Sequence, residues 1–81
     1  MIVTVRYFGP AAEDAGVPEE KIELPSGARL SSCIEAFMKK HPALAARREY
    51  LRCAVNLECA EGDRPLGDGD EIAVMPPVAG G

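Results

Sequence analysis

The spacing of apolar residues changes period twice along the chain, and this restricts the architecture more than any other feature. Val3, Val5 and Tyr7 fall on one side of a two-residue alternation with Thr4 and Arg6 on the other, and Glu71-Ile-Ala-Val-Met75 alternates in the same way. Between them Leu30, Cys33, Ile34, Phe37, Met38 and His41 stand at i, i+3, i+4, i+7, i+8 and i+11, one stripe of an α-helix. A short chain with strands at both ends and one long helix between them buries its apolar faces by laying the helix across a sheet.

The remaining segments fill in that plan. Residues 2–8 read as the first strand, broken by Gly9-Pro10; residues 11–15 read as a helical turn that stops at Gly16. Residues 20–24 alternate again and meet the turn cluster Pro25-Ser-Gly27, which makes a second strand antiparallel to the first. The helix covers 30–41, with Lys39 and Lys40 complementing its dipole and Pro42 preventing extension. Residues 43–48 read as a short irregular helix or turn, 51–55 as a third strand, Asn56 as a turn and 58–60 as a short, weakly patterned strand. Gly67-Asp-Gly-Asp70 is a tight turn before the last strand, 71–75. The order β-β-α-β-β-β predicts an α+β fold, a β-grasp (ubiquitin-like) roll with a mixed sheet of about five strands and one main helix packed on one face. The helix supplies the long crossover that lets the first and last strands pair in parallel at the centre.

At 81 residues there is room for one domain, which the reading divides into residues 1–75 and an extended tail, 76–81. No apolar run approaches the roughly 20 residues that span a bilayer, and the opening residues alternate without the form of a secretory signal, so a soluble cytoplasmic protein is expected, with no membrane partner. The net charge of −4 argues against nucleic acid, which demands a basic footprint. Lys39, Lys40, Arg47, Arg48 and Arg52 read as a solvated face; Glu58, Glu61, Asp63, Asp68, Asp70 and Glu71 crowd the last third, where they suit steering of a basic partner.

The chemistry-bearing side chains do not assemble into a familiar catalytic pattern. Three cysteines, Cys33, Cys53 and Cys59, form neither a disulfide framework nor a Cys-x-x-Cys site, and Cys33 and Cys53 read as small buried hydrophobes. His41, the only histidine, precedes Pro42 with its ring expected to face the last helical carbonyls, and a lone His makes no metal site. There is no Ser-His-Asp set, Gly-rich phosphate loop or H-E-x-x-H, hence no self-sufficient active site.

The informative stretch is Val74-Met-Pro-Pro-Val-Ala-Gly-Gly81. Pro76 and Pro77 cannot donate ladder hydrogen bonds, so strand pairing stops at Pro76, and the following residues hold an extended direction with a reach of roughly 20 Å. Gly80 and Gly81 can pass a channel too narrow for any Cβ. The α-carboxylate, with a pKa of roughly 3.3–3.7, is an anion at pH 7 and a poor acyl donor until it is activated. Its mixed anhydride with AMP is open to attack by a sulfur nucleophile, leaving a thiocarboxylate. A frayed end is the plain alternative; the place of Gly-Gly after Pro-Pro, at the close of a final β-grasp strand, speaks against it.

The opening Val-Arg-Tyr-Phe-Gly9, Ala54-Val-Asn56, Pro65-Leu-Gly-Asp-Gly-Asp-Glu-Ile72 and the ending Pro76-Pro-Val-Ala-Gly-Gly81 resemble the molybdopterin synthase small-subunit family of ubiquitin-like sulfur carriers over essentially the whole chain. The resemblance implies that an E1-like adenylyltransferase uses ATP to adenylate Gly81 and that sulfur converts it to a thiocarboxylate. It further implies that the tail inserts into the large subunit of a heterotetramer and donates sulfur to cyclic pyranopterin monophosphate in molybdenum cofactor biosynthesis. On that reading Gly81 and Gly80 are the reacting end, and the chain is a sulfurtransferase subunit that holds no permanent cofactor and is not catalytic alone. Phe8, Cys59, Met75, Pro76, Pro77 and Val78 are expected to bind partners, with edge-strand packing the alternative for Cys59 and Met75. The sequence departs from the family at Leu57, where glycine often follows the turn Asn56, and at Gly9-Pro10, where Ala-x is more usual. Carriers for thiamine, cysteine or tRNA thiolation, a ubiquitin-like modifier of lysines and a plain scaffold are the alternatives, with Pro76-Pro77 favouring the molybdopterin branch.

Overall fold

The computed structural model describes residues 1–60 and 62–75. In chain order the elements are β1 (Ile2–Tyr7), α1 (Pro10–Ala15), β2 (Glu19–Glu23), α2 (Leu30–Lys40), α3 (Pro42–Ala45), a 3-10 turn (Arg48–Tyr50), β3 (Arg52–Val55), β4 (Glu58–Cys59) and β5 (Glu71–Met75). The five strands form one mixed sheet in the order β2-β1-β5-β3-β4. β1 runs parallel to β5, pairing Val5 with Ile72 and Tyr7 with Val74, while β2 and β3 flank this central pair antiparallel. The β-grasp roll expected from the period changes is the fold observed.

Strand alternation and the helical stripe meet in one core. Val3, Val5, Val55, Ile72 and Val74 are fully buried on one face of the sheet, and Leu30, Cys33 and Phe37 of α2 pack with them. Phe37 stands edge-on to Tyr7, ring centroids 6.0 Å apart. Ile34, predicted in the stripe, is only partly buried. Leu44 of α3 closes the bottom of the core, so the short irregular stretch after Pro42 contributes a fully buried anchor. Gly16 ends α1 in the left-handed conformation, φ 77°, that a side chain would strain.

Long-range polar contacts fix the loops. Asp63 caps α2 from 32 residues away: the Ser31 N–H donates to Asp63 Oδ1 at 2.8 Å and the Ser31 hydroxyl to Oδ2 at 2.9 Å. The Ser31 bonds hold the Asp63 carboxyl below its ordinary range. Asn56 locks the β3–β4 turn to the start of β5, donating from Nδ2 to Asp70 Oδ1 at 3.0 Å and accepting from the Glu71 N–H at 2.9 Å.

One expectation is corrected. His41 N–H does cap α2, donating to the Phe37 carbonyl at 2.9 Å, but its ring turns away from the helical carbonyls and binds Glu20 Oε2 through Nε2 at 2.5 Å. A carboxylate is the stronger acceptor, and edge packing on Tyr7, 5.7 Å between centroids, holds the ring there. Lys39, Lys40, Arg47, Arg48 and Arg52 are all exposed, as a solvated face requires, and two of them also make ion pairs. Lys40 pairs with Glu20 at 2.6 Å and Arg47 with Asp14 at 2.8 Å, which ties α2 to β2 and the segment after α3 to α1.

Candidate functional site

The centre of the sheet determines where the last residues leave it. β5 lies between β1 and β3, and Met75, its final residue, pairs with Arg52. Pro76, Pro77, Val78, Gly80 and Gly81 lie outside the described residues. Their root at Met75 is therefore central, with strands on both sides.

Residues on the sheet face turned away from α2 follow from register. Val74 and Ile72 are buried under the helix, so Ala73 and Met75 belong to the opposite, open face; Ala73 pairs with Arg6 on one side and Ala54 on the other. Ala54 pairs in turn with Cys59. Phe8 extends β1 by one residue, its N–H donating to the Val74 carbonyl at 3.0 Å, and shares the parity of Arg6. Phe8, Met75 and Cys59, three residues proposed from sequence, are thus brought to one face across β1, β5 and β4. Phe8 is 43% exposed, Met75 half-buried and Cys59 exposed. Arg6 and Arg52 flank the apolar strip, with the Arg6 guanidinium 5.9 Å from the Phe8 ring centroid. An apolar groove of about 510 Å³, lined by Ile34, Leu51, Cys53, Ala60, Cys59 and Met75, curls round the neighbouring edge. It exists because β4, only two residues long, leaves the side of β3 uncovered there.

The thiols divide sharply. Burial pushes the Cys33 thiol up to about 12, with a further contribution from nearby Cys53, and burial pushes Cys53 up to about 11, so both are protonated and inert as nucleophiles near neutral pH. Cys33 is the buried core residue expected, whereas Cys53 is only half-buried, packed against the core at the wall of the groove.

Sequence reasoning missed one side-chain network, on the helix-covered side of the sheet at its β2 edge. Glu20, only 11% exposed, accepts hydrogen bonds from the Tyr7 hydroxyl (2.5 Å), His41 Nε2 (2.5 Å) and Lys40 Nζ (2.6 Å). Burial alone raises a carboxyl, but bonds from Lys40, Tyr7 and His41 together outweigh it and hold Glu20 at about 2. Burial, followed by the Glu20 hydrogen bond and charge, drives Tyr7 well above the ordinary phenol range, so it stays a neutral donor. The available signal was parity: Glu20 shares its side of β2 with Ile22, which is buried, and a carboxylate on that side requires partners.

Comparison with known proteins decides the family. The sequence model of the ThiS family matches residues 5–81. The chain belongs to the ThiS family. Among relatives in that group, the molybdopterin synthase sulfur carrier subunit of Homo sapiens is 40% identical over 82 residues, covering 98% of this chain and 93% of the relative. The subunit of the same name from Mycobacterium tuberculosis is 36% identical over 80 residues, covering 98% and 96%. Of solved structures, small archaeal modifier protein 1 from Haloferax volcanii superposes with a TM-score of 0.90 at 27% identity, covering the whole of both chains. The complex of subunits 1 and 2 of molybdopterin-converting factor from Helicobacter pylori matches with a TM-score of 0.74 at 29% identity, again over both whole chains. The β-grasp fold is shared with these ThiS-family and ubiquitin-like neighbours.

Proposed function

We propose that the chain is the sulfur carrier subunit of a molybdopterin synthase. The Gly81 carboxylate attacks the α-phosphorus of ATP on an E1-like adenylyltransferase, releasing pyrophosphate; a sulfur nucleophile then attacks the acyl carbon and expels AMP, leaving the thiocarboxylate. The large subunit binds the open sheet face through Phe8, Met75 and Cys59, receives residues 76–81 and presents cyclic pyranopterin monophosphate to the sulfur. The subunit then acts as a sulfurtransferase partner in a cytoplasmic heterotetramer. The observation that carries this reading is the coincidence of a family match running through Gly81 with a last strand rooted at the sheet's centre, beside an apolar open face. Full-length similarity to carrier subunits at 36–40% identity supports the molybdopterin branch. No helix among the described residues is long and apolar enough to cross a membrane.

Deleting Gly81, or adding one alanine after it, displaces the reacting carbon by roughly 3.5 Å, several times the misplacement of about 1 Å that can cost around a hundredfold in rate. Adenylation and sulfur transfer to the pterin precursor are expected to collapse while the melting temperature holds. Sulfur transfer retained by the truncated chain would refute the assignment. A second reading, a protein modifier joined to lysines, is favoured by the likeness to small archaeal modifier protein 1. Gly81-dependent lysine conjugates in cells, with pterin sulfuration unaffected by the same deletion, would support that reading.

A further inference from the structure

The β3–β4 turn breaks a local rule. Asn56 and Leu57 both have positive φ, 50° and 70°, as a two-residue hairpin requires. Asparagine accepts that backbone; leucine is strained in it, because its Cβ crowds the carbonyl. Burial does not offset the strain, for Leu57 is 91% exposed, the most exposed of the large hydrophobic residues among those described. The turn is also rigid. Asn56 is held by its own N–H to the Glu71 carbonyl at 2.8 Å as well as by the two side-chain bonds to Asp70 and Glu71. A stiff loop therefore holds an apolar side chain in water at a cost to the free domain, and persistent local strain of this kind gathers at functional positions.

Leu57 sits in the turn that joins β3 to β4, the two strands that carry Ala54 and Cys59 on the open face, so it stands at the end of the sheet beside that face. β3 and β5 are antiparallel, with Val55 beside Ile72 and Arg52 beside Met75, so this corner lies at the opposite end of the sheet from Met75. We propose that Leu57 is a preformed docking knob that extends the open-face interface to this far corner and inserts into an apolar socket on the large subunit. The proposal rests on the carrier reading above. Asp70 and Glu71 border the turn through their bonds with Asn56, Glu58 follows Leu57 in the chain, and Arg64 and Arg6 pair only Glu58 and Glu71, so the turn carries a net negative border and the rim of the socket is cationic. The same carboxylates disfavour a second copy of this chain as the occupant, since its own knob brings an equally acidic collar.

Leu57→Gly and Leu57→Asn both suit the backbone and both remove the apolar side chain. Each is expected to raise the melting temperature of the isolated domain by about 4–8 °C, through relief of strain, and to weaken binding to the recombinant large subunit of the same organism about tenfold by calorimetry. A purely structural turn residue would move the first quantity and leave the second. Met75→Asp at the other end of the face separates the two levels of argument. If Met75→Asp weakens binding and both Leu57 variants bind like wild type, the knob is refuted and the open-face reading stands. If the wild-type chain does not bind the large subunit, the carrier reading falls and the knob with it. Loss of self-association in sedimentation, with binding to the large subunit unchanged, would assign Leu57 to a second copy and also overturn the proposal.

Discussion

Replacing Glu20 with glutamine removes the charge that joins β1, β2 and the end of α2 while keeping the side chain's shape. The Glu20 carboxyl is lowered from 4.5 to about 2, a difference worth about 3 kcal/mol of folding free energy when fully expressed. Lys40 is 57% exposed and its share is screened by water, so about 2 kcal/mol is expected for Glu20→Gln at pH 7. In a domain of this size that is a fall in melting temperature of about 8–16 °C. The pH dependence follows from the direction of the shift. A carboxyl depressed in the folded state stabilises above its unfolded value and loses that contribution as the pH falls through the folded one. The gap between wild type and Glu20→Gln should thus be full at pH 7 and shrink between about pH 4.5 and pH 2. Urea unfolding followed by circular dichroism at pH 7, 5, 4, 3 and 2 reads this directly. A gap that stays constant over the series would show that the loss arises from packing and not from the charge, and equal stability at pH 7 would refute the account of the network altogether.

Phe37→Ala empties the centre of the core and should cost about 3–5 kcal/mol in urea unfolding, a large part of what an 81-residue domain possesses; a loss under about 1 kcal/mol would mean that the sheet does not depend on α2 at this point. Asp63→Asn weakens the cap on α2 and should lower the melting temperature at pH 7, with the difference fading as the pH falls below the ordinary carboxylate range, because the Asp63 carboxyl is lowered in the folded state. Hydrogen exchange should locate the effect at the first turn of α2, and unchanged exchange there would contradict the cap.

The sequence by itself determined the layer plan. Period-two runs at 2–8 and 71–75 and the stripe from Leu30 to Phe37 each encode which side of an element is apolar, and that information is local, so it can be read without knowing what packs against it. The parallel pairing of β1 with β5 was legible for a related reason, since a helix is the connection that such a pair requires. Register was not legible. Only the pairing of Ala73 with Arg6 and Ala54, and of Ala54 with Cys59, turned Phe8, Met75 and Cys59 from three scattered apolar residues into one face. The ring of His41 went to Glu20, 21 residues away in the chain, because the tertiary fold brought a carboxylate closer than sequence neighbours suggest. The strain at Leu57 is likewise invisible in a string of letters: a leucine after an asparagine becomes costly only when a two-residue turn, locked by Asp70 and Glu71, sets its φ at 70°. Apolar periodicity belongs to the chain, whereas side-chain partners and backbone strain arise only when distant segments are held together.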